Sequence, residues 1–253
     1  MFRILWNVLL YKPLVNLLAL FILVIPGGDI GIAIVLLTIL VKALLYPLSQ
    51  RSIESQAKMA LLTPELNKIK ASGKSKEEQA KATFELYKQH KTNPFSGCLL
   101  ILIQIPIIFA LYYVFLRGIN FDGGILYSFV PLPENVNVLF LGLIDVSKKS
   151  LVLAILAGLS QYLQAHFMPH PQPSAQGGTF ADSFSKSMHM QMKYFFPFLV
   201  TFIAYSISGA IALYWITSNI FSTLQQIYAN KRKHLILTAK HTLSKGSPRS
   251  HIG

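Results

Sequence analysis

Four long stretches of this 253-residue sequence contain either no charged side chain or a single one. The first carries Lys42 as its single charge, and the last runs for 37 residues from Tyr194 to Asn230. A helix needs about 20 apolar residues to cross a bilayer, so the first three stretches predict one span each. The fourth predicts two short spans that turn at residues 206–209. The predicted spans are 29–50, 94–116, 150–168, 194–207 and 210–230.

The composition agrees with a chain that lies mostly in lipid. Hydrophobic residues make up 53% of the sequence and charged residues 13%, about half the charged share of a soluble domain. The low charge argues against a soluble globular fold, and the same values exclude a disordered chain. The fold class predicted is therefore an all-α integral membrane protein with five transmembrane helices; the hydrophilic groove that they enclose is implied by the resemblance described below.

Basic residues are distributed unevenly between the two sides of these spans. The net charge is +13, and 17 of the 23 Lys and Arg residues fall in 51–93, 169–193 and 229–253. Five spans place those three segments on one side, which the positive-inside rule identifies as the cytoplasm. The basic excess is therefore explained by topology, and no recognition of a specific nucleic-acid sequence is predicted.

The polar segments between the spans have distinct patterns. Residues 1–28 predict an outside interfacial amphipathic helix, and a sixth span stays open as the alternative. Residues 51–93 predict a cytoplasmic helical hairpin, in which Pro64 breaks the first arm and Ser75 and Glu78 form a capping box that opens the second. The remaining segments are an outside loop at 117–149, a cytoplasmic loop at 169–193 and a basic cytoplasmic tail at 231–253.

Lys42 is the residue that most needs a function, because a charge inside a span costs about 2.5–3.5 kcal/mol on insertion scales. A lysine that snorkels to the interface is the alternative interpretation. The spacing of Thr38, Lys42, Tyr46 and Ser49 nevertheless places them on one helix face, which lipid cannot satisfy. Apart from Asp29, the first residue of the first span, no span contains an acidic residue, so this cation is suited to attracting an anion from outside the protein.

Polar side chains in the other spans add to this polar helix face. Each one alone is explained by a helix–helix hydrogen bond, but together they predict a hydrophilic cavity. Asn219, Ser222 and Gln226 are expected to share one face of the last span. The polar residues are Gln104, Gln161, Gln164, Asn219, Ser222 and Gln226.

The sequence predicts no enzyme, no cofactor and no metal site. His166 and His170 are four residues apart, but Pro169 separates them and no further ligand is near. Ser208 lacks both a nucleophile elbow and a base. Cys98 is the single cysteine and is interpreted as a packing residue.

Several of these motifs resemble the YidC/Oxa/Alb family of membrane protein insertases. The first span resembles the family segment in which a basic residue precedes an apolar run ending in Tyr-Pro-Leu, here Tyr46-Pro47-Leu48. The other matching motifs are Gln56-Ala57-Lys58-Met59, Asn93-Pro94, Gly97-Cys98, Gln104-Ile105-Pro106-Ile107, Leu111-Tyr112-Tyr113, Ser208-Gly209, Leu213-Tyr214-Trp215, Ser218-Asn219 and Gln225-Gln226. The resemblance extends over residues 5–235.

The resemblance implies a groove that opens to the cytoplasm and to lipid and is closed on the outside. It places the groove cation at Lys42, where lysine replaces the usual arginine, and the groove threonine at Thr38. It places substrate contacts of the last span at Tyr214 and Trp215. It also implies a bacterial plasma-membrane protein without the large outside domain of some members.

The function predicted is an insertase and chaperone for small membrane proteins. Its groove residues are expected to be Lys42, Thr38, Tyr46, Gln104, Tyr214, Trp215 and Asn219. Its partners are nascent clients and the lipid bilayer, with a ribosome and a Sec-type translocon as further expectations. Two alternatives stay open: an anion channel or transporter that uses Lys42 for selectivity, and an assembly factor that inserts nothing.

Overall fold

The computed structural model describes residues 5–92, 104–110, 112–114, 121, 124–168, 187 and 190–245, with side chains up to residue 231. Within these residues the chain is mostly helical. The helices are α1 (Lys12–Val24), α2 (Ile30–Leu61), α3 (Thr63–Lys70), α4 (Lys76–Gln89), α5 (Leu151–Phe167), α6 (Phe196–Ile207) and α7 (Gly209–Lys245). Residues 104–110 and 112–114 are also helical. The predictions on Asn93-Pro94, Gly97-Cys98, Leu111, His170 and most of 169–193 lie outside the described residues.

Two of the described helices, Asn7–Val24 and Ile30–Leu61, are long and apolar enough to cross a membrane. In the first, a π-helical turn at Asn7–Tyr11 continues directly into α1, and the Lys12 backbone N–H donates to the Asn7 carbonyl. Pro13 has no N–H to donate to the preceding turn, and the wider turn lets the chain stay helical through it. The π turn and α1 together form one apolar helix of 18 residues.

The same combination of a π turn and a proline recurs before α6. The turn covers Gln191–Phe195, the Phe196 N–H donates to the Gln191 carbonyl, and Pro197 lies in the first turn of α6. Gly158 on α5 faces this helix, where a Cβ would collide with the Thr201 hydroxyl and the Pro197 carbonyl. The absence of a side chain at Gly158 therefore sets how closely α5 and α6 approach.

Helix α2 runs without a break from Ile30 to Leu61 and includes Pro47. It therefore does not end at residue 50, where the predicted span ends, but continues as the first arm of the hairpin segment. The chain turns at Leu62, just before Pro64 in the first turn of α3. Ser75 caps α4, and the predicted capping box with Glu78 is confirmed.

A segment that we call the loop cap, residues 124–149, joins the ends of three helices. It contains a short antiparallel pair, β1 (Leu139–Phe140) and β2 (Ile144–Asp145), which an all-α prediction did not include. Its backbone bonds to the chain before α2 through Asn137 N to Gly28 O (2.9 Å). It bonds to the start of α7 through Ala210 N to Val146 O (2.8 Å).

Two buried polar side chains hold the loop cap in place. Asp29 caps α2 by accepting from Ile32 N at 3.0 Å, and its other oxygen accepts from Leu141 N at 2.7 Å. Asn16 on α1 donates to the Ile125 carbonyl (3.2 Å) and accepts from Tyr127 N (2.7 Å). The hydrogen-bonding groups of both side chains are thus matched by fixed backbone partners.

The core lies between α1, α2, α5, α6 and α7. Leu18, Ile30 and Ala33 are fully buried where α1 meets α2, and Ala154 and Ala157 are fully buried on α5. Small residues on α5 allow α6 and α7 to pack closely against it. Helix α7 also packs along α2, and this contact positions the site described next.

Candidate functional site

Lys42 lies on the side of α2 that faces α7. Its ammonium donates to Ser222 Oγ at 3.1 Å and to Gln104 Oε1 at 3.3 Å. Ser222 is on α7 and Gln104 begins the described helical part of 104–114, so three separate segments meet at one cation. Both partners are neutral oxygens, and neither of the ion pairs His90–Glu65 and Lys148–Asp145 includes Lys42.

Tyr214 extends this network into the core. The Gln104 side-chain amide donates to the Tyr214 hydroxyl, and the Ser218 side chain, one turn along α7, is a further hydrogen-bond partner of that hydroxyl. Tyr214 is buried. The predicted groove residues Lys42, Gln104 and Tyr214 therefore form one connected network, and Ser222 completes it.

A second polar contact joins α2 and α7 one to two turns further along. The Ser49 hydroxyl and the Gln225 side chain are 2.9–3.0 Å apart and exchange hydrogen bonds. Gln225 also reaches the Tyr46 carbonyl at 3.4 Å. Tyr46 therefore takes part in this contact through its backbone carbonyl. We call the set Lys42, Gln104, Ser222, Ser49 and Gln225 the polar seam.

Asn219 lies on a different face of α7 from the polar seam. Its amide donates to Ser160 Oγ on α5 at 3.0 Å, and both residues are buried. Gln226 bonds to Asn230 at 2.9 Å, and Asn230 reaches the Phe167 carbonyl at the end of α5. The expectation that Asn219, Ser222 and Gln226 share a face is therefore wrong: Ser222 faces α2, whereas the other two follow α5.

Thr38 and Trp215 are both buried beside the polar seam. The Thr38 hydroxyl donates to the Ile34 carbonyl of its own helix at 2.6 Å, so its hydrogen-bonding need is met within α2. Trp215 is part of the hydrophobic core. In this structure Thr38 and Trp215 thus line the interior.

Three polar residues with defined contacts were missing from the predicted groove set: Ser222, Gln225 and Ser160. The signal for the first two was present in the sequence, because Tyr214, Ser218, Ser222 and Gln225 follow helical spacing through an apolar span. Ser160 gave a weaker signal, since an isolated serine in a span commonly bonds to its own helix. It does so here as well, donating to Ala157 O at 2.7 Å.

Most of this chain, including the polar seam, matches a known protein family. The family model described as 60Kd inner membrane protein matches residues 22–235, which include α2, the loop cap, α5, α6 and the polar seam. The chain belongs to the 60Kd inner membrane protein family. This membership confirms the resemblance that the motifs indicated.

Relatives of this chain are named membrane protein insertase YidC. The protein of Anaeromyxobacter sp. (strain Fw109-5) is 38% identical over 205 residues, which is 80% of this chain and 33% of that protein. The protein of Francisella philomiragia is 34% identical over 200 residues, 79% of this chain and 32% of that protein. The chain thus spans about a third of the length of these relatives.

Proposed function

We propose that this chain is a membrane protein insertase of the bacterial inner membrane, which moves small membrane proteins from the cytoplasm into the bilayer. The observation that carries the proposal is Lys42, a cation in an apolar helix whose partners Gln104 and Ser222 are both neutral. A carboxylate from a client would bind this ammonium more strongly than either partner does, because the attraction between two full charges adds to the hydrogen bond.

The proposed topology has five spans around a groove formed by the polar seam, with the basic hairpin and tail in the cytoplasm. Residues 1–28 are proposed to lie at the outside interface. Asn16, near the middle of the apolar helix Asn7–Val24, bonds to Ile125 and Tyr127 of the loop cap. The centre of a spanning helix would lie deep in the hydrocarbon, far from an outside loop, so this contact favours the interfacial placement.

The proposed reaction breaks no covalent bond and needs no ATP. The free energy comes from transfer of the client's apolar helix into lipid. Lys42 attracts acidic residues in the client's polar tail and holds them partway across the bilayer, which lowers the barrier. Tyr214 and Trp215 are proposed to line the client's path, and because both are buried here, α7 must separate from its neighbours to admit a client.

The proposed partners are nascent membrane-protein clients and lipid. The cytoplasmic hairpin, residues 51–93, would receive the client, since it is the basic cytoplasmic segment nearest in sequence to the polar seam. The basic tail would contact a ribosome or anionic lipid, and a Sec-type translocon is a further proposed partner.

The test is client insertion into liposomes that contain the purified chain. The client carries an acidic N-terminal tail, and protease protection of that tail reports insertion. Wild type and Lys42→Arg should insert it, whereas Lys42→Met should insert on the order of tenfold less, the equivalent of about 1.4 kcal/mol. Lys149→Met is the matched control, because it removes the same charge from the exposed loop cap.

Three results would argue against parts of this proposal. Full insertion by Lys42→Met would remove the role assigned to Lys42. Equal loss in Lys149→Met would mean that net charge, and not the polar seam, controls insertion. Wild-type protein that inserts no client but conducts anions would replace the insertase by a channel.

A further inference from the structure

The tip of the β1–β2 hairpin exposes three leucines to its surroundings. Leu139 is 43% exposed, Leu141 60% and Leu143 81%. We call these residues the leucine tip. Phe129 and Leu132, in the same loop cap, are also more than half exposed. Apolar groups concentrated on one protruding turn are unfavourable in water and are typical of a surface that contacts a partner or a membrane.

The backbone of the leucine tip is also unusual for a turn in water. Leu143 N donates to Phe140 O at 3.0 Å, and the two central residues, Leu141 and Gly142, have φ of +52° and +71°. A turn with two positive φ angles strongly favours Asn, Asp or Gly at its first central position. Leucine occupies that position here, so the side chain there is apolar at the expense of local backbone preference.

The protein holds this strained residue rigidly in place. The Leu141 N–H donates to the buried Asp29 carboxylate, which also caps α2. Phe140 packs so closely on Gly31 that a Cβ there would collide with the ring. The leucine tip is therefore fixed beside the first turn of α2, next to two exposed cations, Lys148 and Lys149.

We propose that the leucine tip inserts into the interfacial region of the outer lipid leaflet. The inference rests on the proposed topology, which places the start of α2 at the outer face of the membrane. It does not require insertase activity. At that level the leucines meet acyl chains, while the ammonium of Lys148, which also pairs with Asp145 at 3.0 Å, lies within reach of lipid phosphates. Apolar tips flanked by cations are the chemistry of interfacial membrane contact.

The test measures lipid contact at the leucine tip in the full chain. With Cys98→Ala as background, Leu143→Cys is labelled with an environment-sensitive fluorophore and the protein is placed in lipid nanodiscs. Glu134→Cys, exposed in the same loop cap, is the matched control. The label at 143 should emit at shorter wavelength than the label at 134. It should be quenched severalfold more by nitroxide attached to lipid chains than by aqueous iodide, with the reverse order at 134.

A second variant separates lipid contact from the fold of the turn. Leu141→Asn places a preferred residue in the turn, so the hairpin should still form, but quenching at 143 by lipid nitroxide should fall. Strong iodide quenching at 143 in the parent protein would place the tip in water and overturn the proposal. Protection from both quenchers would mean that protein covers the tip, which would also overturn it. Client insertion is not part of the readout, so failure of the insertase proposal would leave these results unchanged.

Discussion

Helix α2 carries buried or half-buried polar contacts at two levels, and they differ in how firmly their partners are fixed. At its first turn, the Asp29 carboxylate accepts from two backbone N–H groups, and Asn16 nearby bonds to the backbone of the loop cap. Further along, the partners of Lys42 among the described residues are side-chain oxygens, those of Gln104 and Ser222. Backbone partners are held by the fold, whereas side-chain partners can rotate away.

This difference suggests a division of roles along one helix. Around Asp29 the polar groups hold the loop cap against the helices, and losing one of them leaves a buried N–H without a partner. Around Lys42 the polar groups are exchangeable, and a carboxylate can replace them without disturbing the backbone. Stability and client binding should therefore respond to mutations at different levels of α2.

The largest loss of stability is expected for Gly28→Ala. Gly28 has φ of +64°, and a Cβ there would collide with the Asn135 carbonyl. Backbone strain and overpacking together should lower the free energy of unfolding by about 3 kcal/mol. Gly27→Ala is the matched control, because Gly27 has φ of +78° but open space around it, and it should cost about 1 kcal/mol. Unfolding by denaturing detergent compares the two, and equal losses would show that the close approach to the loop cap is unimportant.

Asp29→Ala should destabilise the fold by about 2 kcal/mol, because it removes a helix cap and leaves the Leu141 N–H without its acceptor. Glu134→Ala, which changes an exposed carboxylate of the loop cap, should stay within about 0.5 kcal/mol of wild type. The same unfolding assay applies, with limited proteolysis of the loop cap as a second measurement. An Asp29 variant as stable as the Glu134 variant would contradict the role given to this contact.

Asn219→Ala and Ser222→Ala should separate the two faces of α7. Asn219 bonds to buried Ser160, so its loss should cost about 1 kcal/mol of stability and leave insertion of an acidic client nearly unchanged. Ser222 is half-buried beside Lys42, so its loss should change stability by less than about 0.5 kcal/mol and reduce insertion a few-fold. The reverse pattern would show that the α5-facing side of α7 serves the client.

The smallest effect is expected in the hairpin and depends on pH. Hydrogen bonds from the Ser75 backbone and side chain lower the pKa of Glu78 below its ordinary value of 4.5. The carboxylate therefore stabilises α4 fully above pH 4.5, and this contribution is lost as the pH falls through the lowered pKa. Amide exchange of residues 75–89 in the full chain, from about pH 6 to about pH 3, should show the loss. Glu78→Gln should remove the pH dependence, while Glu77→Gln should keep it.

Local patterns in the sequence predicted the structural features that are decided by residues close together in the chain. The capping box at Ser75 and Glu78 and the turn between α6 and α7 are such cases, since the residues that decide them are adjacent. The resemblance to a family pointed to Lys42 and Tyr214, and the polarity of Gln104 within an apolar span added the third member, although the three come from different parts of the chain.

The contacts that escaped prediction depend on distant residues or on fine angular differences. Asn16 and Tyr127 are 111 residues apart, and no local periodicity links them. Asn219 and Ser222 are three residues apart, which separates them by about 60° around a helix. That angle is small enough to suggest a shared face, yet large enough to send one residue to α5 and the other to α2.

Pro47 gives α2 a mechanical property that follows from its covalent structure. A proline has no N–H to bond the carbonyl four residues earlier, so the helix is weakest against bending just beyond Lys42. The part before Pro47 is anchored by Asp29 and keeps the ammonium at constant depth. The part after it, to Leu61, is a rod about 21 Å long. A bend of about 10° at Pro47 would swing its far end by about 4 Å, so the hairpin would move while the charge stays where it is.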